Sequence, residues 1–353
     1  MGFFNGHEDS AGYHPPVLHE WLKPKISGNI INGLGETSDR PATPIYHRVD
    51  KKRAWFWVNI TFLIKQMWDV GPRGQIQFLR RDLRNKKQEL INKDTVSQTQ
   101  TSGSPEEWTA RLKAAALAHP MCDDVGITRL HKNLYFDEDL ETETHLAKWA
   151  VVITRRMEYS ELAANLKQEQ WWKIPFWKRK WVQTIREVMK VYAESFDAAI
   201  EVAAFIRSNG HTAEAIGGAP GSKINILRTA IEAGLGELGK HGSIIHKRYG
   251  SSVRFAVVLT DMPLVSDTSA DFGADDFCAS CQLCTNSCPP GAISDTKQMV
   301  RGNLKWYVDF DKCVPYFNDT HACGICLSAC PWSRPGVADK LVVKMARKRA
   351  AKV

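Results

Sequence analysis

Across its first 277 residues this chain of 353 holds a single cysteine, Cys122. That scarcity excludes a disulfide framework spread through the molecule and leaves most of the fold to an ordinary apolar core. Long hydrophobic runs are missing too: nothing approaches the roughly 18 uninterrupted apolar residues that a membrane span needs. The opening stretch MGFFNGHEDSAGYHPP has no basic region leading into an apolar one, and Gly6 stands where a myristoylation pattern requires Ser or Thr. The one twin arginine, Arg80 with Arg81, lies deep inside a charged stretch. These absences make a cytoplasmic chain the expectation. Acids are scarce at the far end, where GVADKLVVKMARKRAAKV sets six basic side chains against one acid. Such a tail suits nucleic acid, an anionic membrane surface or an acidic redox partner, but the plainer expectation is a solvated terminal helix. With 43% apolar and 24% charged residues and a net charge of +8, the chain reads as globular, with room for two or three domains.

The other eight cysteines fall between Cys278 and Cys330. Cys278, Cys281, Cys284 and Cys288 spell C-x2-C-x2-C-x3-C-P, and Cys313, Cys323, Cys326 and Cys330 repeat the pattern with the first interval stretched to nine residues. Paired C-x2-C motifs also build zinc ribbons, but two triplets each followed by x3-C-P fit one tetrahedral ion poorly. The run resembles that of bacterial ferredoxins, in which three close thiolates cap one 4Fe-4S cubane and the fourth, before proline, ligates the other. That resemblance implies one cluster on Cys278, Cys281, Cys284 and Cys330, and a second on Cys288, Cys313, Cys323 and Cys326. The inserted VPYFNDTHA is then expected to be a loop carrying Cys313 out and back. Two adjacent cubanes make an electron wire, which leaves the long upstream chain as the place where electrons are used or supplied. Cys122 is expected to be a small core residue.

Upstream, residues 1–104 are rich in aromatics and charges, with a helix pair expected around RAWFWVNITFLIKQMWDV and PRGQIQFLRRDLRNKKQELINK. Ser104, with Glu107 three residues on, predicts a capped helix start and a domain boundary. EEWTARLKAAALAHP reads as a helix, VGITRL and the apolar run WAVVITRRM as strands, and VRFAVVLTD as another. WWKIPFWKRKWVQ interleaves Trp171, Trp172, Phe176, Trp177 and Trp181 with cations. Such a segment stacks nucleic-acid bases, lines a pocket for a flat apolar ligand or packs on a core. In the long helix that follows, Trp181, Ile185, Val188, Tyr192, Phe196 and Ile200 recur at helical spacing, so pattern alone makes Tyr192 a core tyrosine. GGAPGSK lacks the Gly-Lys step of a phosphate loop. Gly234, Gly236 and Gly239 spell G-x-G-x-x-G ahead of Asp261, yet INILRTAIEA before them is helical, so they close a helix and nicotinamide binding is rejected.

Taken in order, DDVGITRL, VVITRRMEY, FIRSNGHTAEAIG, AGLGELGKHGSIIHKRYGSSVRFAVVLTDMPL, FCASCQLCTNSCPPGAI and CGICLSACPW resemble consecutive blocks of the corrinoid-dependent reductive dehalogenases, over about residues 115 to 335. The resemblance implies an α+β fold: a nitroreductase-like core at 105–270 holding cobalamin without a protein lower ligand, then a ferredoxin-like domain with two 4Fe-4S clusters at 271–335, after the region 1–104 and before the basic tail 336–353. It implies the replacement of a halogen by hydrogen through Co(I) cobalamin, with Tyr192 as proton donor, Arg254 as the cation that stabilises its phenolate, and Lys223 as a further pocket residue. From the residues alone, Arg254 is equally a surface ion-pair member. Gly217, Gly218, Gly234, Gly236, Lys240, His241 and Tyr249 stand where the resemblance puts cobalamin. The export signal of the respiratory members and the fused reductase domain of some catabolic ones have no counterpart here. A non-respiratory enzyme fed by a separate ferredoxin or flavodoxin is therefore expected, and the tryptophan-rich segment suits an aromatic or large apolar organohalide.

Two other functions fit parts of the sequence. Epoxyqueuosine reductase, a related corrinoid enzyme with two clusters, acts on transfer RNA and has similar GLGxxGK and TDxPL segments, but the pattern around its aspartate donor is not evident here. A pure electron-transfer protein without corrin would need only the cysteine-bearing part.

Overall fold

The computed structural model describes residues 8–9, 12–13, 27–43, 83–90, 92, 95–136, 147–166, 180–217, 222–320 and 322–351. The tryptophan-rich segment 167–179, most of the expected N-terminal helix pair and Gly218 lie outside them.

The first long helix, α1 (Pro105–Ala118), starts where expected: the Ser104 hydroxyl accepts from the Glu107 amide while the Glu107 carboxylate accepts from the Ser104 amide. Such a reciprocal cap contributes about 1 kcal/mol. After it come β1 (Asp124–Arg129), β2 (Trp149–Arg156), the long helix α2 (Lys180–Ser208), β3 (Ala213–Ile216), α3 (Ile226–Glu232), a short hairpin of β4 (Gly236–Leu238) and β5 (Ile244–His246), and β6 (Val253–Thr260). Strands β1, β2, β6 and β3 form one antiparallel sheet in that order. β3 has no counterpart among the sequence expectations: four residues, AEAI, are too short to show a period.

Both sheet faces are covered, which is why WAVVI and RFAVVLT read as nearly continuous apolar runs. On one face Val151, Ile153, Ala256 and Val258 pack against Trp108 and Leu112 of α1 and Phe196 and Ile200 of α2; Cys122 is buried in this core as expected. On the other, Val152, Phe255 and Val257 meet Leu134, Ala230 of α3 and Ile244. Fully burying one such side chain stabilises the fold by ~1.5–3 kcal/mol. Part of the N-terminal region is docked on this unit, because Glu89 pairs with Arg207 at 3.0 Å, both nearly fully buried, and also accepts the Ala215 amide.

The remaining chain builds the cysteine-bearing unit from α4 (Ala274–Ser280), α5 (Leu283–Asn286), α6 (Phe310–Asp319), α7 (Ile325–Ala329) and α8 (Ala338–Ala350). Two expectations need correcting. Most of the inserted VPYFNDTHA is helix rather than loop: Asp309 caps α6 by accepting the Lys312 amide, and Val314 and Tyr316 are buried along it. The basic tail is helical, but not simply solvated. Ala338 and Met345 of α8 are buried in a core with Cys278, Cys330 and Trp332, and Arg349 bonds Asp276 and Asp271 at 2.6 and 2.7 Å. Its apolar residues thus complete the wall behind the first cysteines, which a count of charges does not reveal.

The candidate redox and proton-transfer site

Strand alternation decides what faces α2. Val253, Phe255 and Val257 of β6 turn to the face covered by α3, so Arg254 turns to the face covered by α2. There its guanidinium carbon stands 5.4 Å from the centroid of the Tyr192 ring. Arg155 lies directly across the sheet from Arg254, but it is neutralised by Glu194 at 2.8 Å and Asp123 at 3.0 Å. Arg254 is not. Its Nη1 donates to the Val253 carbonyl at 2.8 Å, and its Nε is buried with no hydrogen-bond partner among the described residues. An unpaired buried guanidinium donor is costly unless an anion or a polar ligand group reaches it. Tyr192 sits on the predicted stripe of α2 but is only half-buried, whereas Ile185, Val188, Phe196 and Ile200 are buried. It packs beside Leu327 of α7 on an apolar cluster with Met157, Leu162, Val188 and Val191, so the phenol lies at the seam between the sheet unit and the cysteine-bearing unit.

The cysteines fall into two interlocked groups. The buried Cys330 thiol is pushed up to about 12, first by burial and then by Cys278, Cys284 and Cys281. Cys326 is raised well above its ordinary value by burial and by Cys323, Cys313 and Cys288, with Cys284 a lesser neighbour. Burial also drives Cys313 up to about 12, and Cys323 and Cys288 stand beside it. Each C-terminal pre-proline or spacer cysteine thus has neighbours in the other motif's run. Among the described residues no three Cys, His, Asp or Glu side chains converge on one point. A mononuclear zinc site would hold its sulfurs ~3.8 Å apart, from Zn–S bonds of about 2.3 Å in a tetrahedron. Buried thiols that raise one another's pKa remain thiolates only against compensating cations, and bodies of several irons supply these to donors spaced more widely. The donor set fits iron–sulfur clusters.

Side chains from distant parts of the chain hold the cysteine-bearing turns. Helix α4, with Cys278, starts at Gly273 (φ 88°) without a side-chain cap of its own. Glu237 of β4 supplies one, its carboxylate accepting the amides of Phe272, Ala274 and Asp275 at 2.7, 3.1 and 3.1 Å. Asn29 serves α6, accepting from the Phe310 amide and the Tyr307 hydroxyl, both at 2.7 Å, and donating to Asp309 at 2.9 Å. Asn165 donates to the Cys323 carbonyl. Sequence reasoning missed all three, because nothing local to Glu237, Asn29 or Asn165 marks them as caps for elements 35 to 281 residues away.

The residues expected around cobalamin divide. Gly217 lies against the Phe196 ring, one helical turn from Tyr192. Gly234, at φ 76°, closes α3 as expected, but a Cβ there would meet the Thr268 carbonyl at 2.4 Å, and one on Gly236 would meet the Ile245 carbonyl at 2.3 Å. The approach of protein backbone accounts for both glycines. Lys240 is placed at the first cysteine group. Lys223 is bonded to Glu214 at 2.6 Å. The Tyr249 ring stacks on His246 at 5.0 Å, with Arg156 and Arg248 flanking it. His241 is buried with both ring nitrogens engaged, Nδ1 accepting the Ser243 amide at 3.2 Å and Nε2 meeting the Ser251 hydroxyl at 2.9 Å.

Burial lowers the His241 pKa from 6.5 to about 4. A folded-state value below the unfolded one means that the stabilisation is fully present above about pH 6.5 and is lost as pH falls toward 4. The unfolding free energy from urea titrations should therefore drop by about 2 kcal/mol between about pH 7 and 5 from this group, and His241→Asn should flatten that slope. An equal slope in the variant would assign the acid sensitivity elsewhere.

Comparison with known proteins agrees with this geometry. Residues 277–333 match the family model described as a 4Fe-4S dicluster domain. The tetrachloroethene reductive dehalogenase of Sulfurospirillum multivorans is 35% identical over 117 residues, 31% of this chain and 23% of that protein. The epoxyqueuosine reductase of Cyclobacterium marinum is 31% identical over 122 residues, 30% of this chain and 36% of that protein. A solved reductive dehalogenase, described as suggesting a mechanism for B12-dependent dehalogenation, superposes with a TM-score of 0.66 at 20% identity, over 96% of this chain and 49% of that one. The chain thus spans less than half the length of these relatives. It has the reductive dehalogenase fold with a C-terminal 4Fe-4S dicluster domain, and it is a relative of the reductive dehalogenases, with epoxyqueuosine reductase a second relative. Among the described residues no helix is long and apolar enough to cross a membrane.

Proposed function

We propose that this chain is a cobalamin-dependent reductive dehalogenase that replaces the halogen of an organohalide by hydrogen, consuming two electrons and one proton and releasing halide. The observation that carries it is the Arg254 guanidinium over the Tyr192 ring at 5.4 Å, unpaired at Nε, beside the helix that bears Cys326. Cobalamin, if held beside this pair, would supply the two-electron reduction of the carbon–halogen bond.

The chain's own residues do the rest. Tyr192 holds the proton at its hydroxyl and delivers it to the carbon that loses halogen. Arg254 stabilises the phenolate left behind and offers its free Nε–H to the departing halide. The two cysteine groups hold two 4Fe-4S clusters that receive electrons one at a time from an external ferredoxin or flavodoxin. Leu327 and Tyr192 pack on one apolar cluster at the seam. An aromatic or large apolar halide is the substrate class that the tryptophan-rich segment favours.

The test is anaerobic expression with cobalamin, followed by metal analysis and halide-release assays on brominated and chlorinated phenols. About one cobalt and about eight iron per chain, with halide released only under reduction, is the expected result. Conversion of epoxyqueuosine in transfer RNA without halide release would move the chain to the second relative's chemistry. Iron without cobalt, from a preparation able to take up corrin, would leave an electron-transfer protein.

A further inference from the structure

Lys240 is buried to 1% exposure, and its surroundings do not explain its charge. Its Nζ donates to the Cys281 carbonyl at 2.9 Å and stands 4.9 Å from the centroid of Trp306. Its backbone amide donates to Cys278 Sγ at 3.5 Å. Asp275, an acid of this corner, is engaged otherwise, accepting from Trp306 Nε1 at 2.7 Å and from Lys297 at 2.6 Å. Among the described residues no carboxylate lies within ion-pair reach of the Lys240 ammonium. A buried ammonium with a carbonyl and a ring face but no anion is destabilising. Something negative must belong beside it.

A cubane on four thiolates is net negative and gains one further negative charge when reduced. We infer that the Lys240 ammonium is the built-in counter-charge of the cluster on Cys278, Cys281, Cys284 and Cys330, and that it raises that cluster's reduction potential above that of its neighbour. The inference rests on reading these cysteines as cluster ligands. The charge acts more strongly on the reduced cluster than on the oxidised one, so it favours the electron's arrival; the amide bond to Cys278 Sγ acts in the same direction. The second group has Asn165 at Cys323 and the Ala292 amide on Cys288 Sγ at 3.3 Å, and among the described residues the cation bearing on Cys288 is Lys312, whose side chain is exposed rather than buried. Lys240 therefore sets the two potentials apart. This makes it a positioning and tuning residue, since it touches neither substrate nor reacting atoms.

The test is an EPR-monitored redox titration of the reconstituted full chain, with Cys281→Ser identifying the first cluster's signal. In Lys240→Met and Lys240→Gln the first cluster's midpoint should fall by at least 59 mV, a tenfold loss in its one-electron reduction equilibrium, with the second moving much less. Lys240→Arg, which keeps the charge, should restore most of it. Two intact clusters with unmoved midpoints in both neutral variants would overturn the inference. So would loss of the first cluster in both, since Lys240 would then be a structural prop. A parent chain with no two-cluster signal would instead sink the assignment of the cysteines on which the inference rests.

Discussion

Tyr192→Phe should leave cobalt and iron content unchanged while turnover falls by about 10²–10⁴, the range over which a positioned general acid contributes. The substitution removes one oxygen and keeps the ring that packs beside Leu327 and under the Arg254 guanidinium, so folding and the cation–ring contact survive. A phenol has a reference pKa near 10, and it gives its proton to a developing carbanion only where a cation stabilises the phenolate. Arg254 is suited to that role because, unlike Arg155 opposite it, it carries no carboxylate partner among the described residues. Arg254→Lys would keep the charge but lose the planar group over the ring, and should also lower turnover. Unchanged halide release in Tyr192→Phe would end its assignment as donor and return it to the core residue that its helical stripe suggests.

Cys330→Ala should abolish the same cluster as Cys281→Ala, although Cys330 belongs in sequence to the other motif. The basis is its placement: the thiols raising its pKa are Cys278, Cys284 and Cys281, whereas Cys326, four residues earlier, answers to Cys323, Cys313 and Cys288. Each single variant should retain about four of about eight irons, and the double variant Cys281→Ala with Cys330→Ala should lose no more than either alone. Cys326→Ala combined with Cys330→Ala should lose both clusters. If the Cys326 and Cys330 variants prove non-additive instead, each motif holds its own cluster and the crossed arrangement is wrong.

Why some of this was legible and some was not follows from the range of the interactions. The capped start at Ser104 depends on four consecutive residues, and the strands at 124–129, 149–156 and 253–260 on apolar runs within them, so each showed in the sequence. The helical stripe of α2 showed too, and with it the placement of Tyr192, although periodicity cannot distinguish a buried residue from one half-open at a seam. The cysteine spacing was legible because ligation repeats a local pattern. The inserted helix α6 was not, since Pro315 inside it reads as a breaker while burial of Val314 and Tyr316 outweighs it. Lys240 stood where the family resemblance puts cobalamin, and nothing in its own sequence neighbourhood shows that its side chain reaches the Cys281 carbonyl.

By itself, then, the sequence determined the cysteine-rich chemistry, the two-sided strands and the residue types available for proton transfer, all of which depend on neighbours a few positions apart. Only the tertiary structure decided that Arg254 turns toward Tyr192, that Lys223 is bonded to Glu214, that Glu237 and Asn29 cap helices far from them, and that Lys240 is buried against the first cysteines. Those outcomes depend on which faces of sheet and helix are buried together, and on the need of every buried charge and amide for a partner, wherever in the chain that partner lies.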